Sequence, residues 1–177
     1  MKQFYFRGKF IVLKKLFESG YEFEQEFYQS DLKDQEKAND YEKNMEISKE
    51  IIDKVKSIDK EINILGFSEL WCPDCQINLV VMKYLTTLNP NIKLRLQPRE
   101  GNEEFMKKHS DDGRIKIPMF IYLNSNFEKI GSFIEFPSIV KIVENGDNQV
   151  EKIKVKKLYR KGSYMEQTII DFLNILK

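Results

Sequence analysis

The chain has 177 residues, with 29 basic side chains, 28 acidic ones and 41% hydrophobic residues. That length accommodates one domain with an extension and enough apolar side chains for a proper core. The near-neutral balance gives no electrostatic reason to expect nucleic acid or an anionic membrane as a partner.

The first stretch, MKQFYFRGKFIVLKKLF, is basic, but its longest uninterrupted apolar run is Phe10 to Leu13. That is too short for a signal-peptide core or a membrane span, so the expectation is a cytoplasmic protein with no membrane partner. Residues 1–60 are rich in Glu, Lys, Gln and Asp, with glycines at Gly8 and Gly20 and no proline. Apolar residues recur at helical spacing, first at Phe10, Leu13, Leu16 and Phe17 and again at Ile47, Ile51, Val55 and Ile58. This predicts two or three helices with a polar connection around Ser30 to Asn44, and Asp31 and Ser48 as caps. Residues 1–60 are expected to form a helical extension packed on a core domain of residues 61–177. A partner-binding arm is the alternative.

The texture changes at Ile62. INILGFS, a short apolar run ended by serine, reads as a buried strand. After Cys72-Pro73-Asp74-Cys75 come Ile77, Val80, Val81, Tyr84, Leu85 and Leu88 at helical spacing. Proline is tolerated in the first turn of a helix, whose N–H groups have no intrahelical partner, so Cys72 falls at the N-terminus. Asn89-Pro90-Asn91 ends this helix. IKLRLQP alternates as a strand, NEEFMKKHS is a short helix, and IPMFIYL and FEKIGSFIEF are strands separated by the turn Asn124-Ser125-Asn126. Ile139, Val140 and Val143 suit a helix. VEKIKVKKLYRKG is ambiguous: Ile153 and Val155 alternate like a strand, while Val150, Ile153 and Leu158 fit a helix, which is the reading preferred, and its basic residues from Lys152 to Lys161 read as a solvated face. In the last segment Ser163 and Glu166 predict a capping box for a helix carrying Ile169, Ile170, Leu173 and Leu176.

The chain has two cysteines, and chance would space them this way in about one placement in a hundred. A disulfide here closes a very small loop and constrains the unfolded chain little. A structural zinc site needs four ligands, and two cysteines with the single histidine, His109, leave it one short. Redox chemistry is therefore expected; an inert pair and a metal bridged between two chains stay open. The nucleophile of thiol–disulfide exchange is a thiolate, and a helix N-terminus stabilises an anion through its free N–H groups and partial positive charge. Cys72 is thus expected to attack, and Cys75, one turn further in, to resolve the mixed disulfide. Asp74 opposes a thiolate at Cys72, Pro73 fixes the first turn, and Trp71 offers a flat apolar platform. Glu69 is a candidate proton acceptor for Cys75 against a solvated loop residue. Arg114 and Lys116 are candidates for a local positive charge. His109 is assigned no role.

The order strand, CxxC helix, strand, helix, strand, strand, helix, together with Trp71-Cys72-Pro73-Asp74-Cys75 and Ile117-Pro118 at the start of a later strand, resembles the thioredoxin-like proteins. The resemblance covers about residues 60–145. It implies an α/β thioredoxin-like fold, with a central mixed sheet of about four strands flanked by helices and extra N-terminal and C-terminal helices. It also implies a cis Ile117–Pro118 bond facing the cysteines, which would expose the Ile117 backbone for pairing with a substrate. The helical N-terminal segment, RIKIP, and Tyr159, Gly162 and Tyr164 are similar to a bacterial group called "thioredoxin family protein". Thioredoxins proper usually carry a buried acid six residues before the first cysteine, where this chain has Gly66.

The function expected is a thiol–disulfide oxidoreductase, a reductase in direction, acting on protein or low-molecular-weight disulfides. It would take electrons from a small thiol or a reductase, with no cofactor, no resident metal and no nucleic acid. The alternative is a thioredoxin-like binding module whose CxxC senses redox state without turnover.

Overall fold

The computed structural model describes residues 11–177; the expectations placed on Gly8 and Phe10 lie outside the described residues. Among these, four strands form one mixed sheet in the order β2-β1-β3-β4. They are β1 (Ile62–Phe67), β2 (Ile92–Gln97), β3 (Met119–Leu123) and β4 (Lys129–Ile134). β1 runs parallel to β2 and antiparallel to β3, and β3 and β4 form an antiparallel hairpin. This is the thioredoxin-like α/β arrangement expected.

β1 is buried along its whole length, as its nearly continuous apolar sequence requires of a central strand covered on both faces. The period of two separates the two faces. Ile62 and Ile64 of β1 join Phe120 and Tyr122 of β3 in one apolar layer. Leu65 and Phe67 join Met119, Ile121 and Leu123 in the other. The second layer is covered by α1 (residues 11–18) through Leu13 and Phe17 and by α6 (Glu103–His109) through Met106.

The first layer carries α5 (Pro73–Leu88), on which Ile77, Leu79, Val80, Val81, Met82 and Leu85 are all buried. A helix apolar on so many sides must be covered on more than one. Besides the sheet, α3 (Leu32–Lys43), α4 (Lys49–Lys56) and α9 (Met165–Ile175) pack against it. Three further helices complete the described chain: α2 (Phe23–Gln29), α7 (Ser138–Glu144) and α8 (Gln149–Tyr159). No helix among the described residues is long and apolar enough to cross a membrane.

Three local expectations are corrected. The polar connection expected at Ser30 to Asn44 is the helix α3. Its apolar stripe is sparse, with only Ala38 and Tyr41 buried, and distant polar contacts hold it: Tyr41 Oη donates to Arg160 O at 2.8 Å and Gln76 Nε2 to Asp34 Oδ1 at 2.9 Å. The Ser163–Glu166 capping box does not form. Tyr164 stands at the N-cap of α9 without a side-chain bond, and Ser163 N–H instead donates to Leu158 O. Glu166 accepts the N–H of Ser48, the N-cap residue of α4. Finally, α8 is a helix as expected but is seated on Val155 and Tyr159, leaving Val150 and Ile153 exposed.

Asn89 shows how the N-terminal helices are fastened. Its Nδ2 donates to Val55 O at 2.8 Å and Ile58 O at 2.9 Å, and its Oδ1 accepts from Asn91 N–H at 2.9 Å. One buried amide thus joins the end of α4, the end of α5 and the approach to β2. Replacing Asn89 with Ala removes all three bonds of a buried side chain, a loss of about 2–3 kcal/mol of stability. Urea denaturation should show it as a lower midpoint with an unchanged slope.

Candidate active site

β1 ends at Phe67, and residues 68–71 carry the chain over the top of the sheet into α5. Cys72 is the N-cap of α5, with extended backbone (φ −84°, ψ 122°), and Pro73 opens the helix. The loop is pinned from both sides. Cys72 N–H donates to Glu69 O at 3.0 Å, Leu70 N–H donates to Glu26 Oε1 of α2 at 2.8 Å, and Gln76 Nε2 donates to Leu70 O at 2.8 Å.

Both cysteines are free thiols. Cys72 keeps 7% of its surface exposed and Cys75 none. The neighbouring Cys75 thiol favours the Cys72 anion, and the backbone N–H groups of Cys75 and Asp74 add to this, against burial and the Asp74 charge; the balance brings the Cys72 thiol down to about 7. These are the free donors of a helix first turn. Burial, and then the neighbouring Cys72, push the Cys75 thiol well above its ordinary range. One pair therefore holds an acidified sulfur that keeps a little exposure and a second, fully buried one that resists ionisation.

The Ile117–Pro118 bond is cis, and Ile117 O lies 3.9 Å from Cys72 Sγ. Pro118 O accepts from Glu135 N–H at 2.8 Å. The residues expected at the site from two distant parts of the sequence thus meet at the Cys72 sulfur. Trp71 is 59% exposed on the rim. Glu69 does not turn to Cys75: its carboxylate accepts from Trp71 Nε1 at 3.0 Å and from Arg99 N–H at 3.1 Å. It holds the indole in place, which is neither the proton transfer considered for it nor the part of a merely solvated loop residue. Beside Trp71 opens a cleft of about 370 Å³ that includes Tyr21, Glu26, Asp34, Glu69 and Pro98 in its lining.

The positive charge expected of Arg114 and Lys116 is paired. Arg114 contacts Asp112 at 2.6 Å, and Lys116 contacts Asp112 at 3.2 Å and Glu135 at 2.9 Å. Hydrogen bonds from Arg114 hold the Asp112 carboxyl well below the usual range. His109 stacks on Phe105 of its own helix, α6. Among the described residues no group of three or more His, Cys, Asp or Glu is placed to hold a metal ion.

Arg160 was invisible as a site residue. From the end of α8 its Nη2 reaches Asp74 Oδ1 at 3.1 Å, without the alignment of a hydrogen bond. Burial raises the Asp74 carboxyl and Arg160 opposes that rise. Nothing in the local sequence distinguishes Arg160 from the lysines around it.

A family model described as thioredoxin matches residues 20–163. One similar solved structure is that of a protein of unknown function from Pseudomonas aeruginosa. It is 26% identical, with a TM-score of 0.81, over 91% of this chain and 94% of that one. Another is an HIV epitope-scaffold, 25% identical, with a TM-score of 0.80, over 92% of this chain and 96% of that one. No curated protein matches. The chain belongs to the thioredoxin family.

Alkylation with iodoacetamide should modify Cys72 first, and its rate should rise with pH to a midpoint near 7, because the thiolate reacts and the thiol does not. Replacing Asp74 with Asn removes a charge that opposes the thiolate and should move that midpoint down. Replacing Arg160 with Gln leaves only Lys156 to offset the Asp74 charge and should move it up. Peptide mapping across a pH series reads all three; faster labelling of Cys75 would reverse the assignment of the two sulfurs.

Proposed function

We propose that the chain is a thiol–disulfide oxidoreductase working as a disulfide reductase. The observation that carries this reading is the asymmetry of the pair, an acidified Cys72 sulfur at the mouth of α5 over a buried, protonated Cys75. The Cys72 thiolate attacks one sulfur of a substrate disulfide, forming a mixed disulfide and releasing the first substrate thiolate. Cys75 gives its proton to solvent base and attacks Cys72 Sγ. The bond to the substrate breaks, the second thiolate leaves, and a Cys72–Cys75 disulfide remains. Two electrons have passed from the protein to the substrate, and a small thiol or a reductase returns them.

Trp71, Ile117 and Pro118 form the substrate face in this reading. The exposed indole offers apolar area, and Ile117 supplies a backbone carbonyl beside the nucleophile. Pro73 and Asp74 modulate Cys72 from the first turn, and Glu69 acts through Trp71. A protein or low-molecular-weight disulfide fits the open rim. The cytoplasm is the proposed compartment, because there a CxxC pair is kept reduced and serves chemistry rather than stapling. The helical N-terminal segment and the Trp71-Cys72-Pro73-Asp74-Cys75 motif favour the bacterial group named above.

Insulin reduction driven by dithiothreitol tests turnover. The wild-type chain should accelerate it, Cys72→Ser should abolish it, and Cys75→Ser should accumulate a mixed disulfide visible on non-reducing gels. Stoichiometric oxidation without turnover would favour a redox-sensing binding module instead. Because Asp74 keeps Cys72 from the very low pKa of strong oxidants, the potential should lie between about −200 and −280 mV. A value near about −120 mV by glutathione equilibration would reverse the proposed direction of electron flow.

A further inference from the structure

Ser68, the first residue after β1, is fully buried. Its Oγ has no hydrogen-bond partner among the described residues. A buried hydroxyl in that state has lost water and gained nothing, and native proteins hold few such groups without a reason. The neighbour supplies one. Ser68 is among the groups that favour a thiolate at Cys75, yet its Oγ makes no hydrogen bond in the resting state.

No carboxylate takes this place. A Cβ at position 66 would stand 2.8 Å from Leu96 Cδ2 and 2.9 Å from the Phe120 ring, and Glu69 is turned to Trp71 and Arg99. In the resting pair the Cys75 thiol favours negative charge on Cys72. In a mixed disulfide the Cys72 sulfur is covalently bound and carries no charge. Cys75 must then ionise in a buried site, and an O–H donor beside it offsets the lost solvation.

We propose that Ser68 is a catalytic residue of the second half of the exchange: its hydroxyl donates to the Cys75 thiolate that attacks the mixed disulfide. This rests on the thiol–disulfide reading above. The Cys75 proton leaves to solvent base, the Cys75–Cys72 bond forms, and the bond from Cys72 to the substrate sulfur breaks. The serine keeps its own proton throughout and adds no second negative charge.

Stopped-flow reaction of the reduced chain with dithiobis(nitrobenzoate) separates the halves, since Cys72 releases one coloured thiolate and Cys75 the other. Ser68→Ala should keep the first release at the wild-type rate and slow the second roughly ten- to a hundredfold, the range of a lost hydrogen bond to a charged group. Its thermal midpoint should stay level or rise, because the hydroxyl removed has no partner in the resting state. Unchanged second release in Ser68→Ala would overturn the proposal, and so would equal slowing of both releases with a lowered midpoint. If the wild-type chain itself releases no second thiolate, the exchange reading fails before Ser68 is tested.

Discussion

The backbone N–H groups of Asp74 and Cys75 favour negative charge on the Cys72 sulfur, and that interaction exists only while the first turn of α5 stays where it is. Free donors at a helix end are generic; what differs between proteins is how rigidly the end is held against the group it serves. Here α5 is buried on the sheet side by Ile64, Phe120 and Tyr122 and packed against α3, α4 and α9. Burying a single large apolar side chain stabilises by about 1.5–3 kcal/mol, and α5 buries six. Its position is fixed by the core rather than by its own helix propensity.

A polar cluster within that core ties the site to the end of the chain. Asn78 Nδ2 donates to Tyr159 Oη at 2.6 Å and to Asp74 O at 3.0 Å, and Asn78 Oδ1 accepts from Thr168 Oγ1 at 3.0 Å. Fully satisfied buried networks specify one arrangement because any other leaves a member unpaired. This one sets α8 and α9 against the first turns of α5, which is what places Arg160 beside Asp74. From the other side Glu26 holds Leu70 N–H and Asp34 holds Gln76. Residues before 61 and after 145 therefore both support the loop that carries Trp71 and Cys72.

The parts of this site legible in the sequence are those whose signal is local. Cys72 before Pro73 marks a helix start, the stripe from Ile77 to Leu85 marks a buried face, and the period-two runs mark the strands. The resemblance carried by Trp71 to Cys75 and by Ile117-Pro118 joined two stretches that spacing alone could not. The parts that were not legible depend on tertiary partners. The helix α3 has only two buried residues and is held by Arg160 O and Gln76, neither near it in sequence. Glu166 has the spacing of a capping box but accepts the N–H of Ser48 instead. Glu69 lies three residues from Cys72, yet an indole N–H and the Arg99 N–H claim its carboxylate. A titratable side chain near a nucleophile in sequence is a candidate only until its other donors are known.

Gly66 shows how packing decides chemistry. It sits on β1 opposite Leu96 of β2 and Phe120 of β3, and both side chains close over the space where its Cβ would be. An acid there would need both neighbours to shrink, and its charge would then be buried among apolar groups at a large desolvation cost. The sheet has thus committed that volume to an aromatic ring. Cys75 is left in a pocket where burial and the adjacent Cys72 oppose its ionisation, while Ser68 and the Glu69 backbone favour it. With no carboxylate stationed at Gly66, a second charged step there depends on neutral donors, and the difference in acidity between the two sulfurs follows from which one the helix end can reach.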